Sequence, residues 1–332
     1  MSPRRAQRAS HARTGGIRVP AAVVRLGVRQ LGRRVLDPRL TWEVQRRRLE
    51  RISRPTFLPR GTKVTDSVLN GVHTELVTTA EARPDHTVVH FHGGGYCVGS
   101  ARTALTWAAH LSARAACRVV LPEYRLAPEH PYPAAVDDAR DVMKALLSDA
   151  DPASIVVSGD SAGGGLALSL VIALRDEAKE LPAGCILLSP WLDLELDRRA
   201  VPKLVGRDLL LSPAWLEACA AAYANPSDWA EPSVSPLLAS HHGLPPLLIQ
   251  AGSDELLAPD AKHLAASASA AGIDVTYTSW PGMWHDFALQ PELITAADST
   301  MSQAAWFVDK VTTLGGGAVE ATAIAGDSEP GD

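Results

Sequence analysis

The chain has 332 residues, 46% of them hydrophobic and 21% charged, and its formal net charge at pH 7 is −5. No apolar run approaches the roughly 20 residues of a membrane span, and arginines interrupt every candidate core of a secretory signal. These features exclude a membrane-spanning protein and favour one globular domain, with the cytoplasm expected by default.

The charge is unevenly distributed along the chain. Half of the 32 lysines and arginines lie in the first sixty residues, so the N-terminus is basic and the remaining body is acidic. We expect the partner to be a small-molecule substrate and not a nucleic acid. Only the basic N-terminal segment is a candidate for weak contact with a membrane surface.

The first sixty residues divide into two parts. Residues 1–17 are rich in Arg, Ser and Gly and are predicted to be a disordered basic arm. Residues 18–60 are predicted to form N-terminal cap helices, at 19–36 and 40–52, from their helical spacing of apolar residues. The first helix is basic and amphipathic, which is typical of a cap over an active-site mouth or of attachment to an anionic membrane. We favour the cap because no bulky aromatic residue anchors the apolar face.

A hairpin and a buried strand open the predicted sheet. Two β-type runs, 63–69 and 72–78, flank Asn70-Gly71, the strongest short hairpin signal. The strand 86–92 then leads into Gly93-Gly94-Gly95. Three glycines after a strand indicate a backbone that approaches a ligand closely and can present N–H groups to it.

The region from 102 to 188 alternates between helix and strand patterns. Four prolines in 122–133 predict a fixed surface loop. Repeated strand, helix, strand units imply right-handed crossovers and a mostly parallel sheet with helices on both faces, the α/β class. The predicted helices are 102–115, 134–147 and 164–174, and the predicted strands are 118–121, 154–157 and 184–188.

The stretch 156–165 contains the candidate nucleophile. An apolar run ends in Gly159-Asp160-Ser161-Ala162-Gly163, and an Ala/Leu-rich helical pattern follows. A serine on a strained strand-to-helix turn needs neighbours without bulky side chains, and the two glycines meet that need. We predict that Ser161 is a nucleophile and that the N–H of Ala162 faces a developing negative charge.

The alternation stops after the strand at 184–188 and returns later in the chain. Residues 194–245 contain a Leu/Trp/Ala-rich helical stretch and several proline turns, and are predicted to be an excursion that completes the cap. We place the catalytic domain at 61–313 and a disordered tail at 314–332. The later predicted elements are a strand at 246–251, a helix at 260–271, a strand at 273–279 and a helix at 295–311.

Ser161 needs a base, and the base needs a carboxylate that fixes its tautomer. Among eleven histidines, only His285 lies in a loop just after the last strand and beyond the serine. Asp254 directly follows a strand end between them, so the predicted triad is Ser161, Asp254 and His285. Glu255, the next residue, would point away from the histidine if Asp254 points towards it. The alternative acids that remain open are Asp193, Glu255 and Asp260.

Other polar residues near the glycine loop are predicted to support it. His92 and Gly93 are expected to brace the loop, and Asp160 to hold the serine turn by hydrogen bonding. His90 alternates with His92 on the strand and is interpreted as a core histidine. The candidates for the pocket wall are aromatic: Tyr96, Trp107, Trp191 and Trp284.

Five separated motifs now stand in one order: His92-Gly-Gly-Gly-Tyr96, Tyr124-Arg-Leu-Ala-Pro-Glu-His130, Gly159-Asp-Ser-Ala-Gly-Gly164, Gly252-Ser-Asp254 and His285. Together they resemble the bacterial hormone-sensitive-lipase-type carboxylesterases, most of all the actinobacterial esterases, acetyl hydrolases and ε-lactone hydrolases, over about residues 40–312. The resemblance implies an α/β-hydrolase fold with a helical cap and an oxyanion hole made by Gly94, Gly95 and Ala162. The chain departs from many members in the bulky Trp284 beside the histidine.

The predicted function is a serine carboxylic-ester hydrolase for small to medium acyl esters or lactones, with an acyl-enzyme intermediate. No metal or organic cofactor is expected. Rival hypotheses are a catalytically silent small-molecule receptor on the same fold and a membrane-surface lipase, and a homodimer is compatible with the sequence. The cysteines lack metal-site spacing and are expected to be buried thiols: Cys97, Cys117, Cys185 and Cys219.

Overall fold

The computed structural model describes residues 19–54, 57–195 and 201–314. The predicted arm at 1–17 and the predicted tail beyond residue 314 lie outside these residues. Within the described ranges, no helix combines the length and the apolarity that crossing a bilayer requires.

One sheet forms the centre of the described chain. Its strands are β1 (Lys63–Leu69), β2 (Val72–Thr78), β3 (Arg83–Phe91), β4 (Cys117–Pro122), β5 (Ile155–Asp160), β6 (Gly184–Leu188), β7 (Leu247–Gly252) and β8 (Val275–Trp280). The strand order is β1-β2-β4-β3-β5-β6-β7-β8. β2 pairs antiparallel with β1 and β4, and every other neighbouring pair is parallel. The predicted α/β class with a mostly parallel sheet is confirmed.

The sheet opens with the predicted hairpin. Leu69 and Val72 are register partners on either side of the turn. The φ angles of Asn70 and Gly71 are +46° and +90°. Positive φ at both central residues gives the two-residue turn whose twist matches that of paired strands. The chain therefore returns antiparallel before the parallel part of the sheet begins.

Helices cover both faces of the sheet. Val89 and Val157 point into the layer that contains the helices at 134–149, 162–176 and 258–270, while Val88 and Val156 point into the layer that contains the helices at 101–115 and 295–314. Parallel strands are therefore buried on both faces, as their continuous apolar runs require. The helices of the described residues are α1 (Ala21–Val35), α2 (Trp42–Ile52), α3 (Ala101–Ala115), α4 (Ala134–Asp149), α5 (Ala162–Asp176), α6 (Val201–Leu204), α7 (Pro213–Tyr223), α8 (Ala258–Ala270) and α9 (Thr295–Leu314).

Three segments lie near the carboxyl ends of the parallel strands, and we call α1, α2 and residues 201–223 the cap segments. The indole N–H of Trp215 in α7 donates a 2.8 Å hydrogen bond to Gln45 in α2, and both residues are buried. Arg46 in α2 donates to the carbonyl oxygen of Cys97 at 2.7 Å. These contacts attach the cap segments to each other and to the glycine loop, while the exact domain boundaries stay predictions.

Candidate active site

Ser161 lies at the apex of the turn between β5 and α5, with φ +53° and ψ −122°. A side chain on Gly163 would place its Cβ 2.0 Å from the carbonyl oxygen of Phe91, and one on Gly159 would meet the carbonyl oxygen of Gly163 at 2.1 Å. Real Cβ atoms do not approach so closely, so only glycine fits these two positions without moving the backbone. The close approach of neighbouring backbone at positions 159 and 163 therefore explains why glycines flank the serine.

The serine faces the predicted base. His285 follows β8, and its Nε2 lies 3.0 Å from Ser161 Oγ. Both residues are buried, at 2% and 3% exposure respectively. This is the geometry in which an imidazole can remove a hydroxyl proton. The structure thus brings together two of the three residues predicted as a triad.

The third predicted member, Asp254, does not face His285; its carboxylate is turned towards two arginines instead. One of its carboxylate oxygens lies 3.3 Å from both Nη atoms of Arg25 in α1. The other accepts a hydrogen bond from Arg207. The two guanidinium groups hold the carboxylate towards the cap segments. Sequence spacing could not reveal this, because the arginines are 229 and 47 residues away along the chain.

Glu255, the next residue, faces the base instead. Its Oε2 lies 3.6 Å from His285 Nδ1 and accepts a 2.8 Å hydrogen bond from Ser189 Oγ. Glu255 has no exposed surface. Burial raises the pKa of its carboxyl, and the contacts with His285 and Ser189 oppose that rise. Asp254 and Glu255 lie in the turn between β7 and α8, where Asp254 is held towards the cap segments and Glu255 faces the imidazole.

Ser189 connects the loop of the acid to the loop of the base. Besides its bond to Glu255, its hydroxyl accepts a 3.2 Å hydrogen bond from the backbone N–H of Asp286. It follows β6 with a φ of +45°. Sequence reasoning missed this residue, and the only signal was a Ser-Pro pair directly after a predicted strand.

The two other candidate acids hold backbone after β6. Asp260 Oδ2 accepts hydrogen bonds from the N–H groups of Leu192 at 2.9 Å and Asp193 at 3.1 Å. Asp193 Oδ1 accepts one from the N–H of Glu195 at 2.9 Å. These contacts give both carboxylates a part in fixing the loop that follows the strand.

Asp160 attaches the glycine loop to the serine turn. Its Oδ2 accepts a 2.9 Å hydrogen bond from the N–H of Gly93, and its Oδ1 lies 3.0 Å from Nε2 of the buried His90. His90 also lies 3.0 Å from Ser158 Oγ. A buried carboxylate therefore sits beside the nucleophile as a brace for the loop.

His92 braces the same loop from within. Its Nδ1 lies 2.8 Å from the carbonyl oxygen of Gly93, and its ring stacks on Tyr124 with centroids 4.3 Å apart. Burial lowers the pKa of His92 to about 4. The ring is therefore neutral near pH 7, and Nδ1–H donates to the carbonyl.

The predicted oxyanion donors lie on either side of the serine. Gly94 and Gly95 have φ angles of +123° and +61°. A Cβ on Gly95 would lie 2.6 Å from Cys219 Sγ in α7, so the loop also packs closely under the cap. No hydrogen bond among the described residues uses the N–H of Gly94, Gly95 or Ala162. These three N–H groups are thus available to a ligand oxygen.

The base has a carboxylate at each ring nitrogen. Asp286 Oδ2 lies 3.1 Å from His285 Nε2, the nitrogen that also faces Ser161. Burial alone lowers the pKa of His285, but Asp286 and Glu255 outweigh burial and hold this pKa well above its ordinary value. Sequence reasoning missed Asp286, although it adjoins the predicted base.

A cavity of about 380 Å³ opens onto Ser161 and His285. Of the four aromatic residues predicted for the pocket wall, Trp284 lines this cavity, and the other three lie in the core. Tyr96 stacks on Tyr223 at 3.8 Å, and Trp107 on His90 at 4.3 Å. Trp191 donates to the carbonyl oxygen of Asp193 at 2.8 Å. The wall is mainly apolar and includes Val28, Val35, Leu49, Leu210, Trp215 and Leu289.

Metal-binding side chains do not cluster within the described ranges. No group there of three or more His, Cys, Asp or Glu residues could hold a metal ion. The four cysteines are buried and unpaired. The polar groups on the cavity wall beside Ser161 include the imidazole of His285 and the carboxylates of Asp160 and Asp286.

Known proteins share this arrangement of elements. A profile of the α/β-hydrolase fold family matches residues 88–289. An esterase from Acinetobacter venetianus is 38% identical over 223 residues, which cover 67% of this chain and 73% of that protein. An acetyl-hydrolase from Streptomyces hygroscopicus is 40% identical over 206 residues, covering 61% of this chain and 69% of that protein. The crystal structure of an esterase from the bacterial hormone-sensitive lipase family has a TM-score of 0.82 at 34% identity and covers 87% of this chain and 98% of its own.

Proposed function

Because the chain belongs to the bacterial hormone-sensitive-lipase-type carboxylesterases and is a carboxylic-ester hydrolase, we propose that its catalytic triad is Ser161, His285 and Glu255. The observation that carries this proposal is the 3.0 Å contact between Ser161 Oγ and His285 Nε2, on the wall of an apolar cavity. Glu255 takes the place that sequence reasoning gave to Asp254.

In the first half of the reaction, Ser161 Oγ attacks the acyl carbon of the ester while His285 Nε2 takes the hydroxyl proton. Glu255 faces the Nδ1–H of His285 from 3.6 Å and stabilises the imidazolium by its charge. The carbonyl oxygen becomes an oxyanion that accepts hydrogen bonds from Gly94, Gly95 and Ala162. The bond to the alcohol then breaks, His285 returns its proton to the leaving oxygen, and the acyl group stays on Ser161.

In the second half, water replaces the alcohol. His285 takes a proton from the water molecule as its oxygen attacks the acyl carbon. The same N–H groups stabilise the second oxyanion. Collapse of this intermediate breaks the bond to Ser161 Oγ, which regains the proton from His285 as the carboxylic acid leaves.

The first test replaces the nucleophile. Hydrolysis of a short p-nitrophenyl ester by Ser161→Ala should fall by about 10⁶-fold in kcat, because the acyl-enzyme can no longer form. The matched control is Ser148→Ala, at an exposed position in α4, which should keep full turnover. Equal turnover by Ser161→Ala and the unmodified protein would refute the proposal.

The proposed substrates are small to medium acyl esters or lactones. The 380 Å³ cavity with mainly apolar walls supports an acyl chain of limited length, and the Streptomyces hygroscopicus relative is named for acetyl groups. Each buried methylene adds about 0.8 kcal/mol of binding free energy until the cavity is full. Values of kcat/KM over a series of p-nitrophenyl esters should therefore rise and then fall with acyl length. A continued rise to the longest chain would contradict a closed acyl pocket.

A membrane-surface lipase is a second candidate, favoured by the outer face of α1. Val23 and Leu26 are 60% and 64% exposed there, and Arg29 is exposed beside them. A V23S/L26S variant tests this candidate without removing the residues of α1 that line the cavity. It should lose binding to anionic phospholipid vesicles that the unmodified protein binds; equal binding, or none by either protein, ends the idea.

A catalytically silent receptor is the rival hypothesis from another class. A receptor would bind small esters but would not react with a fluorophosphonate probe. The intact contact between Ser161 and His285 favours reaction with the probe.

The proposed compartment is the cytoplasm, which the four unpaired buried cysteines support.

A further inference from the structure

His285 Nε2 has two polar neighbours where the proposed mechanism uses one. Ser161 Oγ lies at 3.0 Å and Asp286 Oδ2 at 3.1 Å. When a neutral imidazole carries its proton on Nδ1, Nε2 has only a lone pair and can only accept a hydrogen bond. An ionised carboxylate can also only accept, so the two groups cannot bond to each other in this state. The contact with Asp286 is therefore favourable when a proton lies between Nε2 and the carboxylate, which is the state in which the base cannot accept the serine proton.

Asp286 is held at this place by its backbone. It directly follows the base, has a φ of +56°, and its N–H donates to Ser189 Oγ. Its side chain is 18% exposed and lines the cavity beside Ser161. Its Oδ1 is buried and has no hydrogen-bond partner among the described residues. The carboxylate of Asp286 therefore contacts the base on one side and faces the cavity on the other.

The other charged groups around this pair do not cancel the charge of Asp286. From the loop after β7, Glu255 adds a carboxylate at Nδ1. From β5, Asp160 adds another, which accepts a hydrogen bond from the N–H of Gly93 and lies 3.0 Å from His90 Nε2. From the cap, Asp208 lies near Glu255, and Arg25 lies over Trp284 with its guanidinium bound to Asp254. Arg54 and Glu292 also line the cavity, but the charged groups that act most strongly on the imidazole are the carboxylates of Asp286 and Glu255.

We propose that Asp286 is a further catalytic residue: its carboxylate shares Nε2 with the nucleophile, holds His285 in the protonated form and sets the pH below which the esterase is inactive. The proposal rests on the proposed function, because it requires His285 to be the base. It assigns to Asp286 the acid limb of the pH profile and leaves the nucleophile and the oxyanion hole as described.

The direction of the effect follows from the charges. Asp286 and Glu255 hold the pKa of His285 well above its ordinary value despite burial, and burial raises the pKa of Asp286 to about 7. The acid limb of kcat/KM reports loss of the Nε2 proton in the free enzyme. Removing the Asp286 charge lowers the pKa of His285, so the acid limb should move to lower pH by about one to three units. The limb belongs to the coupled pair and not to one residue alone.

The test compares two variants that the left-handed backbone tolerates. Asp286→Asn and Asp286→Gly both fit a positive φ, and only the first keeps polar atoms near Nε2. The control is Glu217→Gln, which removes one negative charge from an exposed position in α7. For each protein, kcat/KM for a short p-nitrophenyl ester is measured across pH at constant ionic strength, at the isosbestic wavelength of the product. The rate of fluorophosphonate labelling is measured over the same pH range.

We expect both Asp286 variants to keep labelling and turnover at low pH, where the unmodified protein and Glu217→Gln lose them. Acid limbs that coincide in all four proteins would overturn the proposal. If both variants fail to fold, as judged by circular dichroism, the pKa of His285 measured by NMR in Ser161→Ala decides: a value at or below the ordinary imidazole pKa overturns it. Failure of the proposed function is distinguishable, because Ser161→Ala would then hydrolyse the ester as fast as the unmodified protein.

Discussion

Two adjacent carboxylates, Asp254 and Glu255, have different roles because their neighbours differ. Asp254 is paired with Arg25 and Arg207, both on cap segments. Glu255 is buried beside His285 and Ser189, and no arginine among the described residues pairs with it. A carboxylate beside an imidazole stabilises the imidazolium. A carboxylate whose charge is already balanced by two guanidinium groups stabilises a nearby imidazolium much less. The same side-chain chemistry therefore serves the proposed catalysis at one position and attachment of the cap at the next.

Paired substitutions separate these two roles. Glu255→Gln should reduce kcat for a short p-nitrophenyl ester by about 10²–10⁴-fold, because the base loses its anionic partner. Asp254→Asn should change kcat by less than about tenfold, because that side chain does not touch the base. Steady-state kinetics on both variants, with circular dichroism to verify folding, make the comparison. The reverse order of kcat losses would restore Asp254 as the acid.

The cap is attached to the catalytic loops by a few polar contacts between elements. Arg25 in α1 binds both Asp254 and the carbonyl oxygen of Gly282 in the loop that carries the base. Arg207, after α6, binds the other oxygen of Asp254. Asp208 accepts hydrogen bonds from the N–H groups of Leu211 and Leu256. The cap segments over the cavity are thus joined directly to the loops of the acid and the base.

Loosening one of these contacts should affect binding more than chemistry. Arg207→Ala should raise KM by about two- to fivefold with kcat little changed, since an exposed ion pair contributes at most about 1 kcal/mol. The side chain of Arg207 is 57% exposed, so high salt should reduce the difference from the unmodified protein. The control is Arg47→Ala, which breaks an exposed pair with Glu43 within α2. Identical KM values for both variants at low salt would contradict a role of this contact in closing the cap.

At the scale of the whole molecule, most of the fold could be predicted from hydrophobic periodicity and from the residues at the turns. The Asn70-Gly71 hairpin and the crossovers of the parallel sheet follow from local patterns that tertiary contacts do not override. The serine turn follows from the need for glycine at positions 159 and 163. His285 was found because a single histidine follows the last strand.

The choice between neighbours in the site could not be made in that way. Whether Asp254 or Glu255 faces the base depends on arginines that are distant in sequence and close in space. The places of Tyr96 and Trp107 depend on stacking partners in the core, Tyr223 and His90. Contacts of this kind have no period in the sequence, so only the assembled structure reveals them.

The central claim is that Ser161, activated by His285, carries the acyl group during ester hydrolysis. The most direct measurement is the mass of the protein quenched during turnover of a short p-nitrophenyl ester, followed by peptide mapping. The account predicts one added acyl group per chain, located on Ser161 and absent from Ser161→Ala. Continued hydrolysis with no acyl group on Ser161, or with the group on another residue, would contradict it.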